Sequence, residues 1–300
     1  MEYDCIVIGR GPAGIQAAIY AVRAGLSVGV VGRDAGALAK TELIENYFGF
    51  ENPISGAALM KAGQAQAARL GVTFYEEEVT SAGWGSAGLY VRFAETTLDA
   101  KTVIVATGMP RKKPAIAGIE QFEGNGVSYC AVCDAFFYKQ KQVAVVGTGK
   151  YAVSEAAELA PFAGQITMLS NGRPFTEPLP DSIPLIEEKI AGISGDEDGR
   201  VKAVTFASGS QLMLDGLFIA EGTASALDFA TKLGLDVQDN AISIDKQCCT
   251  NLPGIFACGD CTGGLLQIAK AVGEGAAAGM SAAAYVKELK GESLQQTQWH

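Results

Sequence analysis

The chain has 300 residues, 48% hydrophobic and 19% charged, and carries a formal net charge of −10. That length exceeds what one hydrophobic core usually supports, so two domains are expected, and the composition is globular rather than disordered or repetitive. The acidic balance excludes a general nucleic-acid role, which needs phosphate-neutralising Lys and Arg; with only one histidine, His300, a zinc site of several His ligands is excluded, as is a Ser-His-Asp triad unless the chain end folds back into a core.

Asp4-Cys5-Ile6-Val7-Ile8 reads as a short apolar strand that starts almost at Met1, leaving no charged leader or cleavage site. No run of eighteen apolar residues is present to span a membrane. Seven cysteines, an odd number, do not suggest a secreted disulfide scaffold. The expected location is the reducing cytosol, where a disulfide is catalytic or sensory rather than structural.

Gly9-Arg10-Gly11-Pro12-Ala13-Gly14 follows the first strand at once, and Ile15, Ala18, Ile19 and Val22 then recur at helical spacing up to a closing Gly25. A second strand, Leu26–Val31, ends just before Asp34, twenty residues beyond Gly14. This is G-x-G-x-x-G with a strand before it, a helix after it and an acid at the right distance. The pattern predicts a dinucleotide whose pyrophosphate sits on the helix N-terminus, with Asp34 accepting from a ribose hydroxyl. A bare tight turn is the alternative.

Further along, Thr102–Gly108 is a strand entering a Thr-Gly turn. Val143–Val146 is a strand running into a second glycine turn, Gly147–Ala152, with a helix over 153–160 and a strand at Gln165–Leu169. Leu217–Gly222 and Ile255–Asp260 repeat the strand-to-turn pattern, and an Ala-rich helix spans Ile268–Leu289. Two nested units of this kind predict an α/β fold of two Rossmann-like domains, the second inserted in the first. The expected boundaries are 1–112 with 245–300 for the outer domain and 113–244 for the inserted one, with linkers at Met109–Pro114 and Asp239–Lys246.

Cys130-Ala131-Val132-Cys133-Asp134 carries the chemistry. A C-x-x-C pair closes and opens a small disulfide ring, one thiol attacking and the other resolving, and an adjacent carboxylate can move the proton that exchange requires. The alternatives are two unrelated core thiols or half of a zinc knuckle, with Cys258-x-x-Cys261 as a second pair and Cys248-Cys249 as further thiols. Gly259-Asp260 inside that second pair fits a flavin-ribityl contact better, which puts redox chemistry ahead of zinc. Cys5, Cys248, Cys249 and Cys258 read most simply as small core residues.

Over nearly its whole length the chain resembles the low-molecular-weight thioredoxin reductases. The matching segments are Gly9–Gly14, Glu45–Gly49, Ala106–Gly108, Cys130–Asp134 with Phe136-Phe137-Tyr138, Gly147–Ala152 and Gly259-Asp260. The resemblance implies FAD in the outer domain and a homodimer. It implies that Cys133 lies nearer the flavin, that Cys130 attacks the disulfide of thioredoxin, and that Asp134 donates or accepts the proton. It also implies that Asn46, Val79, Thr107, Gly108, Asp260, Gln267, Ile268 and Ala269 line the FAD.

The chain departs from that family in the inserted domain. Members that use NADPH carry an Arg-rich motif after the second strand of this domain, which clamps the 2′-phosphate; here the position reads Ser170-Asn171-Gly172-Arg173-Pro174-Phe175. Four prolines between Pro174 and Pro184 then preclude the long helix of the family. The last strand-to-turn element reads Ala220-Glu221-Gly222, with a carboxylate where a dinucleotide would approach. These features resemble the ferredoxin-dependent flavin thioredoxin reductases, in which two one-electron transfers from an iron–sulfur protein charge the FAD. The surviving Gly147–Ala152 turn then serves close helix-on-strand packing. Rival readings are an NADPH-dependent reductase, a related enzyme holding a second flavin on that turn, and a flavin-containing redox sensor without turnover. Arg111-Lys112-Lys113 with Lys139 and Lys141 is a candidate docking face for an acidic ferredoxin, or else a solvated hinge. The tail Trp299-His300 could stack on the flavin ring or be a frayed terminus.

Overall fold

A computed structural model describes residues 2–86, 88–108, 114–221 and 226–292, apart from the side chains of Val132 and Cys133. The basic run 111–113, the tail 299–300 and the sulfur of Cys133 therefore lie outside the described structure. Two compact units are present, Met1–Pro110 with Ser225–His300, and Arg111–Ala224.

The first unit begins with β1 (Glu2–Ile8), buried along nearly its whole length as a central parallel strand must be. Next come α1 (Pro12–Arg23), β2 (Val28–Val31), α2 (Gly56–Arg69) and β3 (Thr73–Tyr75). The chain then forms an antiparallel run of β4 (Val79–Gly85), β5 (Gly88–Phe93) and β6 (Thr96–Val105). The sheet runs β3-β2-β1-β6-β5-β4, and β1 pairs in parallel with both β2 and β6.

The second unit contains β7 (Val127–Ser128), α3 (Ala131–Asp134), β8 (Gln142–Val146), α4 (Lys150–Leu159), β9 (Gln165–Leu169) and β10 (Leu185–Ile186). An antiparallel sheet of β11 (Ile190–Gly195), β12 (Val201–Phe206) and β13 (Gln211–Met213) precedes β14 (Gly216–Ile219). The parallel sheet runs β10-β9-β8-β14-β7, and its core joins Val146, Leu169, Leu217 and Ile219 to Val204 and Phe206 of the antiparallel sheet. No helix forms between β9 and β10, where the prolines remove amide donors and clash with the preceding turn. The glycine turn is shorter than the sequence implied, because α4 already begins at Lys150.

The chain returns to the first unit through α5 (Ala226–Leu233), the hairpin β15 (Val237–Gln238) and β16 (Ala241–Ile242), β17 (Ile255–Ala257) and α6 (Ile268–Leu289). The expected boundary at 245 is therefore too late. α5 buries Ala226, Phe229, Ala230 and Leu233 and packs on β4 and β16, so the stretch before 245 belongs to the first unit. The supposed linker at 239–246 opens as a hairpin turn, with Asp239 and Asn240 both at positive φ. α6 lies directly on α1. A Cβ at Gly275 or Gly279 would stand 2.3 Å from the carbonyl of Ala13 or Ala17, so only glycine permits this approach.

Candidate functional site: a dinucleotide cradle and a disulfide turn

Three neighbouring parallel strands, β1, β6 and β17, end at one level, because Ile8 and Ala257 are both in register with Val105. Each runs straight into a glycine turn, at Gly9, Thr107-Gly108 and Gly259. The carboxyl ends of such strands are where open α/β sheets bind ligands. The glycines have different tasks. Gly9 (φ +117°) leaves no room for a side chain, since a Cβ would stand 2.2 Å from the Ala106 carbonyl. Gly14 would collide with the Gly9 carbonyl, and Gly259 (φ +85°) with Ala13. Gly11, by contrast, has nothing within 4 Å of its Cβ position. Packing does not require a glycine there, whereas close approach of a ligand to the backbone does.

Gly11 is also the N-cap of α1, with Pro12 in the first turn and no side chain capping the helix. The positive end of the helix is thus open to an anion. The Thr107 hydroxyl is buried and has no hydrogen-bond partner. An uncapped helix N-terminus beside an open glycine and an orphan hydroxyl fits a bound dinucleotide. Asp34, exposed just past β2, accepts from the Gly36 amide at 2.9 Å, and Gly36 lies against Gly11, which brings the acid to the same turn. Asn46 donates to the side chain of Gln267 at 3.0 Å, joining two expected lining residues across the unit. Gln267 is the N-cap of α6, with Ile268 and Ala269 in its first turn, and Val79 is buried at the start of β4. Burial pushes the Asp260 carboxyl above the ordinary carboxylate range; Lys270 opposes that shift and Glu274 adds to it.

In the second unit Cys130 lies between β7 and α3, is buried, and is engaged in a disulfide. Cys133 is a residue of α3. The Ser128 hydroxyl accepts from the Cys130 amide at 3.1 Å, and the Asp134 amide donates to the Cys130 carbonyl at 3.2 Å. Cys5, Cys248, Cys249, Cys258 and Cys261 are free thiols, and burial pushes each of them up, Cys5, Cys248 and Cys261 to about 12. Protonated thiols of this kind are poor nucleophiles and poor metal ligands.

A model of the pyridine nucleotide-disulphide oxidoreductase family matches residues 3–275. A thioredoxin reductase of Listeria monocytogenes is 36% identical over 98% of this chain and 96% of its own length. Among solved structures, an atypical thioredoxin reductase from Desulfovibrio vulgaris Hildenborough is similar at a TM-score of 0.90 and 38% identity, covering 95% of this chain and 98% of that one. A ferredoxin-flavin thioredoxin reductase from Clostridium acetobutylicum is similar at 0.73 and 32%, over 97% of this chain and 99% of its own. The chain belongs to the thioredoxin reductase family.

As a thioredoxin reductase it is a flavin-type disulfide oxidoreductase, and no described helix is long and apolar enough to cross a membrane. Sequence reasoning missed two supports of the glycine turns. Arg10, buried inside the glycine turn, donates to the Gly32 carbonyl at 3.2 Å and to Glu76 at 2.8 Å, tying the turn to the loops after β2 and β3. Lys270 donates to the carbonyls of Gly259 and Gly263 at 2.7 and 2.6 Å and to Thr262 at 2.7 Å, while Glu274 accepts from the Gly259 amide at 2.8 Å. The available signal was a Lys–Glu pair at i,i+4 in an otherwise Ala- and Gly-rich helix. The first glycine of the second turn packs as tightly as Gly9 does: a Gly147 Cβ would meet the Ala220 carbonyl at 2.3 Å and the Ala152 Cβ at 2.6 Å.

Proposed function

We propose that the chain passes electrons from reduced ferredoxin through FAD to a Cys130–Cys133 disulfide and on to thioredoxin, and that it works as a homodimer. One observation carries the choice of donor. In the second unit Arg173, beyond β9, lies 2.8 Å from Glu221, beyond β14, as a charge pair rather than an aligned hydrogen bond, and Asn171 donates to the same carboxylate at 3.3 Å. In a nicotinamide-using domain the first position would clamp a phosphate and the second would face the dinucleotide. Here the one arginine is neutralised by an acid that repels phosphate. Exposed Lys139 and Lys141 follow the disulfide turn and supply positive charge for an acidic donor.

Gly9, Gly11, Pro12, Ala13, Gly14 and Asp34 would hold the pyrophosphate and ribose of the FAD, with Asn46, Val79, Thr107, Gly108, Gly259, Asp260, Gln267, Ile268 and Ala269 along the remainder. When bound, FAD takes up two electrons and passes them as a pair to a disulfide. The C-x-x-C spacing makes Cys133, three residues on, the partner assigned to Cys130 in this reading. The reduced Cys130 thiolate attacks one sulfur of the thioredoxin disulfide and expels the other as a thiolate. Cys133 then attacks the Cys130 sulfur of the mixed disulfide, closing the internal disulfide and releasing the second thioredoxin thiolate. Asp134 moves the proton.

The test is anaerobic thioredoxin reduction with reduced ferredoxin or with NADPH. Turnover is expected with ferredoxin, and rapid bleaching of the flavin band by NADPH would establish the nicotinamide route instead. One FAD per chain is expected after denaturation, and two would place a second flavin on the Gly147 turn. Cys133→Ser should abolish turnover with FAD still bound.

A further inference from the structure

α4 presents a buried face made of Tyr151, Ala152, Ala156 and Leu159, and Glu155 stands in the middle of it, only 1% exposed. A carboxylate in such a stripe is costly unless it is hydrogen-bonded, so each bond it accepts there matters to the local structure. Its Oε2 accepts from the amide of Ala131 at 2.7 Å. Ala131 is the residue after Cys130 and the first of α3, and Cys130 itself is 3% exposed. The Cys130 amide is already given to the Ser128 hydroxyl. The amide that directly follows the cysteine is therefore held by an acid from another helix.

In C-x-x-C turns the thiolate of the first cysteine is stabilised by neighbouring amides and positive charge. Here a thiolate at Cys130 must form beside a buried carboxylate that holds the nearest following amide. In the disulfide state Cys130 carries no charge and this conflict vanishes. Asp134, the other acid of the turn, sits at the far end of α3, with its amide on the Cys130 carbonyl.

We propose that Glu155 is a positioning residue of the redox couple: its buried carboxylate holds the Ala131 amide, disfavours the Cys130 thiolate and so makes the dithiol form more strongly reducing. The inference rests on the assignment of Cys130 as the attacking thiol. It adds an acid from a second helix, α4, to the turn that carries the couple.

Glu155→Gln separates this role from a structural one, because Gln keeps the shape and an acceptor for the amide and removes the charge. In the reduced variant, alkylation of Cys130 by iodoacetamide at neutral pH is expected to be about tenfold faster. The dithiol–disulfide equilibrium against a glutathione buffer should shift about tenfold toward dithiol, which corresponds to ~30 mV. A purely structural Glu155 predicts no change, and values within twofold of the parent in a folded, FAD-binding variant would overturn the proposal. If Glu155→Gln does not fold, Glu155→Asp, which withdraws the charge by one methylene, must move both readouts in the same direction; unchanged values there would equally overturn it. Neither readout uses thioredoxin. Persistent thioredoxin turnover in Cys130→Ser would refute the thiol assignment separately, while loss of turnover there with no shift at Glu155 would refute only this inference.

Discussion

Gly9 and Gly11 stand two residues apart in one turn and do opposite things. Gly9 sits at positive φ with a carbonyl 2.2 Å from where a Cβ would be, while Gly11 has negative φ and open space. Gly9→Ala should therefore destabilise the apoprotein by about 3 kcal/mol, through strain and collision. Gly11→Ala should cost the apoprotein at most about 1 kcal/mol yet weaken FAD binding roughly tenfold or more, because the new methyl group stands where the pyrophosphate would lie. Thermal unfolding without FAD and titration with FAD separate the two, and equal FAD affinity in Gly11→Ala and the parent would remove the cradle from this turn. The motif was legible in sequence because its spacing is local. The division of labour within it was not, since it depends on Ala106, which lies just past β6. Lys270 illustrates the same limit: its helix was legible, but its acceptors lie in a loop whose path only tertiary structure fixes.

At the level of elements, Asp4 in β1 binds three others. Its carboxylate accepts from Lys101 of β6 at 2.8 Å and from the amide and hydroxyl of Ser27, just before β2, at 3.1 and 3.2 Å, with Lys290 beyond α6 at 3.3 Å. Burial alone would raise its pKa, but these partners outweigh burial and hold it down at about 2. A carboxyl whose folded value lies below its unfolded value of 3.8 stabilises the fold above pH 4 and loses that contribution as pH falls toward 2. Asp4→Asn should therefore lower stability by about 1–2 kcal/mol at neutral pH, with the gap closing by about pH 2. Urea unfolding at both pH values reads this, and a gap that persisted in acid would reject the ion-pair account. A second element-level expectation concerns the turn after α3, where Phe136 and Phe137 are 70% and 69% exposed at a ring separation of 6.3 Å beside the disulfide. Two large apolar rings in solvent fit a docking contact for the disulfide partner. Replacing both with Ala should raise the KM for thioredoxin roughly tenfold with stability unchanged within about 0.5 kcal/mol; an unchanged KM would rule the contact out. Most elements were legible from apolar runs bounded by glycine. The stretch over 226–242 was misassigned because its apolar spacing reveals a buried face but not which unit buries it.

For the molecule as a whole, the two departures from a nicotinamide-binding pattern lie far apart in sequence, at Ser170–Phe175 and at Glu221, and the fold makes them partners. Sequence alone shows a lost arginine cluster and a misplaced acid as separate oddities. Their meeting gives the single guanidinium at the first position an internal counter-ion at the second. Glu221→Ala removes that counter-ion and frees both Arg173 and Asn171. The parent is expected to bind 2′,5′-ADP, the phosphate-bearing half of NADPH, only weakly. The variant should gain at least about tenfold, since loss of the nearby like charge and release of a cation act in the same direction, each worth about 1 kcal/mol at a half-exposed position. Flavin bleaching by NADPH should remain slow in the variant, because one arginine does not rebuild a cluster of arginines around the phosphate. Titration calorimetry checks the first expectation and anaerobic stopped-flow absorbance the second. If 2′,5′-ADP binds the parent as tightly as the variant, Glu221 does not guard this domain, and the choice of electron donor must be set elsewhere in the chain.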